Sequence, residues 1–314
     1  MLREIIFCLK YHTDVSISEK IRGAADYLED EGIRCQIVYP EPEIMTKEGL
    51  LLGIMENDSE HSLKDILFLS DSSELSEILL GSGAYVVGLQ HEENPGEGFP
   101  GLKYVFTDID EVGFDSYEKA YQRYARIPWT ILETKRCIIR ETTVEDVDAF
   151  YEIYANPEMT RYMEGLFKNP EDEKKYQADY IEKVYGLLGF GTWTVVRKED
   201  GKIIGRAGFS VRNGFDDVEL GFLIGTDYQR QGYAYEVCEA ILKYGREVLL
   251  FERIIAFVKA ENLVSIHLCE KLGFEKKEEV DIEENIYGEE YHDGVKVAPS
   301  RAQFGKYIRM VLAI

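Results

Sequence analysis

The sequence of 314 residues predicts an α/β (α+β) chain in two parts, and three observations carry that reading. Strand-like and helix-like apolar runs alternate through roughly the first hundred residues, the pattern of a parallel sheet with helices on its faces. Pro128 then interrupts, and a new strand begins at RCIIR (136–140). Beyond it, turns at Asp200-Gly201 and Asn213-Gly214 separate three strand-like runs, as in an antiparallel meander. The expected boundary lies at about residue 130, giving domains 1–130 and 131–314.

In the first part EIIFCL (4–9), IRCQIVY (33–39), DILFLS (65–70), AYVVGLQ (84–90) and KYVFT (103–107) read as strands. Helices are expected over 17–32, ending at Gly32, and over 72–83, with a serine cap and a glycine stop. In the second part Thr142 and Glu145 form the spacing of a capping box before a helix limited by Asn156-Pro157. A further helix covers roughly 170–186, followed by the three-stranded meander. A helix over 231–249, a strand over 252–258, a short helix over 263–273 and late strands near 274–282 and 306–312 complete the pattern.

Composition narrows the function. With 59 acidic against 36 basic residues, the net charge of −23 works against nucleic-acid binding, which depends on clustered Lys and Arg. The acidic excess would attract cationic ligands, and a solubilising surface explains it equally well. Cys8, Cys35, Cys137, Cys238 and Cys269 are scattered, odd in number and without a C-x-x-C pair, so reduced thiols and no metal site are expected. No run reaches the length of a membrane span and no cleavage site follows the N-terminus, so the expectation is a soluble, cytoplasmic protein.

The chemistry-bearing stretch is ELGFLIGTDYQRQGYAYE (219–236), a strand that turns into a helix through small residues. About thirty residues later comes NLVSIHLCEKLGF, starting at Asn262. A strand-to-helix turn of this kind presents free backbone N–H groups and the positive end of the helix dipole to an anion. On these motifs, residues from about 135 to 312 resemble the GNAT acetyltransferase superfamily, in the branch of the ribosomal-protein N-terminal and polyamine acetyltransferases. Its pyrophosphate loop, Q/R-x-x-G-x-G/A, is matched by Gln229, Gly232 and Ala234.

The resemblance implies a mixed sheet flanked by helices and acetyl-CoA as cosubstrate. Arg230, Gln231, Gly232, Tyr233 and Ala234 would then surround the diphosphate, and the backbone of Phe222, Leu223 and Ile224 would meet the pantetheine arm where the central strand splays from its neighbour. Asn262 and Ser265 would approach the cosubstrate from the next crossover, and the N–H of Leu223 would serve as oxyanion donor. Glu219 shares a strand face with Gly221 and is the candidate general base, or else a structural or substrate-orienting carboxylate. Where several members carry a tyrosine as general acid, this chain has Cys269, so no acid is assigned. The implied reaction is direct attack on the thioester by a primary amine, either a cationic small molecule or a protein or peptide N-terminus. A coenzyme-A-binding sensor without turnover is the alternative, and a homodimer is a further expectation.

Aromatic residues from Phe150 to Trp193 offer either core packing or a cage for a cation, and the tyrosine-rich insert of 281–307 either a pocket wall or a peripheral flap. Residues of roughly 60–115 partly resemble the haloacid-dehalogenase-like hydrolases, with Asp71 at a metal-binding position. The nucleophilic D-x-D of that family is missing after the first strand, and Asp108 and Asp110 stand at the far end of the domain, where a helix start explains them. The first domain is therefore expected to be a Rossmann-like accessory layer, serving dimerisation, partner binding or small-ligand sensing. A phosphatase seated there is the competing reading.

Overall fold

Strand pairing separates the chain into two units, each with its own sheet. The computed structural model describes residues 1–10, 14–40, 62–284, 290–292, 295–297 and 303–314. The units are Met1–Trp129 and Thr130–Ile314.

The first unit runs β1 (Glu4–Cys8), α1 (Val15–Asp30), β2 (Arg34–Val38), β3 (Ile66–Ser70), α2 (Ser73–Gly81), β4 (Tyr85–Leu89), β5 (Val105–Phe106) and α3 (Phe114–Ala125). The strands form one parallel sheet in the order β2-β1-β3-β4-β5. β1 and β3 are continuously apolar or nearly so because both faces are covered, one by a cluster around Phe7, Leu28 and Tyr117, the other by one around Ile6, Phe68 and Leu79. Gly32 (φ 87°) and Gly83 (φ 84°) end α1 and α2 in the left-handed conformation that glycine adopts without strain. The expected serine cap of α2 is absent: Ser72 makes no capping bond, and the N–H of Ser73 donates to the Glu97 carboxylate instead. The sequence pattern does not mark helix α3, because its buried stripe consists of Tyr117, Ala120 and Tyr121 rather than large aliphatic residues. Asp108 precedes and Asp110 lies within a single 3-10 turn, Ile109–Glu111, ahead of that helix.

The second unit is built on an eight-stranded mixed sheet flanked by helices. Its elements are β6 (Thr130–Glu133), β7 (Cys137–Arg140), α4 (Asp146–Tyr154), α5 (Pro170–Tyr180), β8 (Thr192–Arg197), β9 (Ile203–Val211), β10 (Val218–Ile224), α6 (Tyr233–Glu247), β11 (Arg253–Lys259), α7 (Leu263–Lys271), β12 (Glu275–Glu283), the pair β13 (Glu290–His292) and β14 (Val295–Val297), and β15 (Phe304–Ala313). The sheet order is β12-β15-β11-β10-β9-β8-β7-β6. The meander β8-β9-β10 is antiparallel, with Gly201 (φ 70°) and Gly214 (φ 87°) in its turns. Of the insert over 281–307, residues 285–289, 293–294 and 298–302 lie outside the described residues.

The expected capping box is also replaced. Helix α4 starts at Asp146, whose carboxylate accepts the Thr143 N–H (2.9 Å), the Thr194 hydroxyl (2.8 Å) and two bonds from the Arg140 guanidinium (2.6 and 2.7 Å). Glu145 makes no capping bond. One buried carboxylate therefore clamps β7, β8 and the start of α4, the strong bidentate geometry favoured for arginine. Burial works against its charge, and the bonds from Arg140, Thr143 and Thr194 outweigh burial and hold its pKa below the ordinary aspartate value.

Candidate active site

β10 and β11 are parallel neighbours, but they pair at only two positions, Val218 with Ile254 and Glu219 with Ile255. From Leu220 onward β10 keeps its other partner, β9, in unshifted register to Ile224. Which backbone groups face the resulting gap follows from ladder parity. The Gly225 N–H donates to Ile204 O (2.8 Å), so residues 225, 223, 221 and 219 take the hydrogen-bonded places of the β9 ladder. The backbone of Phe222 and the N–H of Ile224 then point toward β11, where no ladder receives them. The Ile224 carbonyl is occupied by the Gln229 side chain (2.9 Å). This corrects one expectation: the Leu223 N–H is directed at β9, away from the gap, and is not placed to serve as an oxyanion donor.

The loop after β10 is shaped by two left-handed residues, Arg230 (φ 58°) and Gly232 (φ 83°), with Gly232 as the N-cap of α6. The first intrahelical bond runs from the Glu236 N–H to Gly232 O (3.1 Å), so the N–H groups of Gln231, Gly232, Tyr233 and Ala234 precede it. Such a concave run of N–H groups at the positive end of a helix attracts anions. Gln229 and Gln231 brace the turn, the first onto Ile224 O and the second onto Asp227 O (2.8 Å). Arg230 is exposed. The Tyr233 side chain is buried in the core, so only its backbone faces the loop.

Because β10 and β11 are parallel, the segment after β11 emerges at the same sheet edge. It carries Asn262 and Ser265, but as a cap: Asn262 Oδ1 accepts the Ser265 N–H (3.2 Å) at the start of α7. On the opposite face of the sheet from α6, Glu219 is nearly buried, and the Arg212 guanidinium donates to both of its oxygens (2.8 and 3.5 Å). Next to it on the same face Gly221 leaves open space: a Cβ built there meets nothing within 4 Å. The strand edge, the N–H cradle and the open floor beside a carboxylate lie along one strand and its following turn.

A family profile described as "Acetyltransferase (GNAT) domain" matches residues 136–275. The N-acetyltransferase YoaA of Bacillus subtilis, itself uncharacterised, is 33% identical over 153 residues, covering 47% of this chain and 84% of that protein. The chain belongs to the GNAT acetyltransferase family. A [ribosomal protein uS5]-alanine N-acetyltransferase of Escherichia coli is 36% identical over 165 residues, 49% of this chain and 82% of that protein. A solved GNAT-family acetyltransferase from Bacillus anthracis covers 58% of this chain and 97% of its own at 22% identity, with a TM-score of 0.44. The protein is an acyl-CoA-dependent N-acetyltransferase.

Within this GNAT enzyme Cys269 is a core side chain with no exposed surface, packed with Cys238 and Ile266. Burial pushes its thiol up to about 12, so it holds its proton and packs. The aromatic residues are likewise a packed layer. Phe167, Tyr176 and Tyr291 meet at 5.5–5.8 Å, and the hydroxyls of Tyr151 and Tyr185 donate to the carbonyls of Phe167 and Thr192. Trp193 lies in the core around α6, on the other side of the sheet. No cage is formed among these described residues.

In the first unit Asp71 directly follows β3 and is buried, accepting the Lys10 N–H (2.7 Å), with His91 Nε2 at 3.4 Å. Since His91 Nδ1 accepts the Glu93 N–H (3.3 Å), Nε2 is the protonated nitrogen in the neutral ring. Burial, only partly offset by these bonds, raises the Asp71 pKa. The pair lines a cavity of about 800 Å³ with Glu93, Asn94 and Glu97. No group of three or more potential metal ligands occurs among the described residues.

Proposed function

We propose that the enzyme transfers the acetyl group of acetyl-CoA to a primary amine, either a cationic small molecule or a protein or peptide N-terminus. The observation that carries this reading is the β10 edge left open beyond Glu219, running directly into the left-handed turn at Arg230–Gly232. A pantetheine arm needs strand-like donors and acceptors, and a diphosphate needs several N–H groups approached without a Cβ in the way. Phe222 and Ile224 supply the first, and Gln231 to Ala234 with Gly232 the second. Gln229 holds the turn to the strand, and Arg230 adds an exposed positive charge. Asn262 and Ser265 border the same edge, with Asn262 Nδ2 and the Ser265 hydroxyl as the groups that face the cosubstrate.

In this reading the amine occupies the floor above Gly221 and attacks the thioester carbonyl directly. The Phe222 N–H replaces that of Leu223 as donor to the carbonyl oxygen, where developing negative charge is worth most to stabilise. Glu219, fixed by Arg212, orients the ammonium and receives its proton through water. The proton lost by nitrogen equals the one gained by the departing sulfur, and solvent supplies the latter because Cys269 cannot. The uS5-alanine N-acetyltransferase relative supports a peptide N-terminus as acceptor, and the acidic excess supports a polycation. The catalytic domain is residues 131–314, and residues 1–130 form a Rossmann-like accessory layer, the chain acting in the cytoplasm as a homodimer.

Calorimetric titration with acetyl-CoA, followed in the same sample by thiol release against spermidine, aminoglycosides and short peptides, tests the reading. Binding with amine-dependent thiol release is expected. Absence of acetyl-CoA binding would sink it.

A further inference from the structure

The turn that precedes α6 is held from outside its own segment. Arg136, at the start of β7, donates from Nη1 to Gln231 O (3.0 Å) and from Nε to Glu236 Oε2 (2.6 Å). Its own backbone N–H donates to Glu236 Oε1 (2.8 Å). The guanidinium stacks on the Tyr233 ring at 4.1 Å, and Nη2 lies 3.5 Å from where a Cβ on Gly232 would stand. One arginine therefore touches, in sequence, the residue before the glycine, the glycine position itself, the first helical residue and the end of the first turn.

The donor count is informative. Guanidinium offers five N–H groups, of which Nε–H and one on Nη1 are used. The second N–H on Nη1 and both on Nη2 meet no acceptor among the described residues. A side chain serving only to tie β7 to α6 would need the Glu236 bonds and nothing more. The carbonyl of Gln231 matters for a different reason. Its peptide plane also carries the Gly232 N–H, so holding that carbonyl fixes the direction in which the N–H points.

We propose that Arg136 is a positioning residue for the diphosphate of the cosubstrate. It locks the Gln231–Gly232 peptide with its N–H turned to the phosphate and adds positive charge to the turn. This rests on the reading that the turn before α6 holds the diphosphate. The role belongs to phosphate recognition, not to the thioester end, and that difference makes it testable.

The experiment compares acetyl-CoA with S-acetylpantetheine, which has the same thioester arm and no phosphate, on the full-length chain carrying Arg136→Gln or Arg136→Lys. Arg136→Gln is expected to raise the Kd for acetyl-CoA roughly tenfold, the scale of a lost charge at a helix start. The dependence of that Kd on ionic strength should flatten, while kcat/KM with S-acetylpantetheine stays at the wild-type value. Arg136→Lys should recover part of the affinity, as it keeps the charge and loses the fork. Equal losses with both donors would show a general structural role and overturn the proposal, as would an unchanged Kd for acetyl-CoA in Arg136→Gln. A wild-type protein that turned over S-acetylpantetheine but gained no affinity from the phosphates would instead remove the diphosphate reading beneath it.

Discussion

Each unit contains a central parallel pair of apolar strands, and the two pairs end differently. In the first unit β1 and β3 pair at five successive positions, from Glu4 with Ile66 to Cys8 with Ser70. In the second, β10 and β11 pair at two and then part. A complete ladder satisfies its backbone internally and has none to offer a ligand. The interrupted one leaves the Phe222 backbone and the Ile224 N–H without a ladder partner, a cost to the free chain and an edge open to a ligand. Side chains occupy the carboxyl end of the closed ladder, Asp71 and His91 above all, whereas the open one leads into backbone N–H groups. The proposed site lies where pairing is incomplete.

The second unit carries its own polar tie away from that gap, the Arg140–Asp146–Thr194 clamp. Asp146→Ala removes the carboxylate from the half-buried Arg140 guanidinium, leaving it, among the described residues, only its bond to Glu141 O, and should cost about 1.5–3 kcal/mol. The loss should appear in the second unit alone, read by Trp193 fluorescence in a Trp129→Phe background. A pH dependence follows from the depressed pKa. The folded value lies below the unfolded one, about 3.9. The clamp's stabilisation is thus complete above the unfolded value and disappears as pH falls through the folded one. Unfolding midpoints measured downward from pH 5 should drop more steeply in wild type than in Asp146→Asn. Parallel curves would mean that Asp146 is not a charged clamp.

Second in size is the turn itself. Gly232→Val forces a β-branched residue to φ 83°, at about 1–2 kcal/mol, and misdirects the N–H cradle. Affinity for acetyl-CoA should fall by at least about tenfold, a factor worth about 1.4 kcal/mol in binding free energy. The same substitution at Gly32, φ 87° at the end of α1, carries similar strain and should leave acetyl-CoA binding untouched. If calorimetry showed equal affinity for wild type and Gly232→Val, the open edge would not lead to the phosphate site.

Much of this was legible in the sequence, and the failures have physical causes. Glycine stops, the meander turns and the strand-turn-helix at Gln229–Ala234 are local, so they survive without knowledge of partners. The short β6 escaped because only Ile131 and Leu132 of its four residues are apolar, and α3 because tyrosines carry its stripe. Alternation along β10 assigned side chains to faces correctly, but not amides to edges. Whether Leu223 or Phe222 points its N–H into the gap depends on the β9 register, visible only in the fold. Arg136 is 95 residues from Gln231 in the chain, beyond the reach of any local pattern.

Two glycines sharpen the contrast further. Gly88 on β4 is roofed by the Phe99 ring, with a built Cβ at 2.8–3.0 Å from its carbons, whereas Gly221 on β10 has open space. Gly88→Val should destabilise the first unit by about 1–3 kcal/mol through overpacking. Gly221→Val should leave the second unit within about 0.5 kcal/mol of wild type. It should nevertheless lower kcat/KM for the amine by roughly tenfold through misplacement of the acceptor, with acetyl-CoA affinity unchanged. Equal destabilisation by the two variants would show that the floor above Gly221 is closed.

The smallest effect is expected at Cys269, where the two regions ought to behave alike. Cys8 ends β1 and Cys269 sits in α7; both are fully buried, and both thiols are pushed up to about 12, chiefly by burial. A thiol acting as general acid would titrate within the working range and shape the basic limb of the pH–rate profile. One that holds its proton to about 12 cannot. Cys269→Ala should therefore cost about 1 kcal/mol of stability through the small cavity it leaves, as should Cys8→Ala. Turnover should stay within about twofold of wild type, well inside the 10²–10⁴-fold that a general acid contributes, with the same apparent pKa values from pH 6 to 10. Loss of the basic limb in Cys269→Ala alone would make that thiol the missing acid, and would mean that the gap between β10 and β11 reaches deeper into the core than its packing shows.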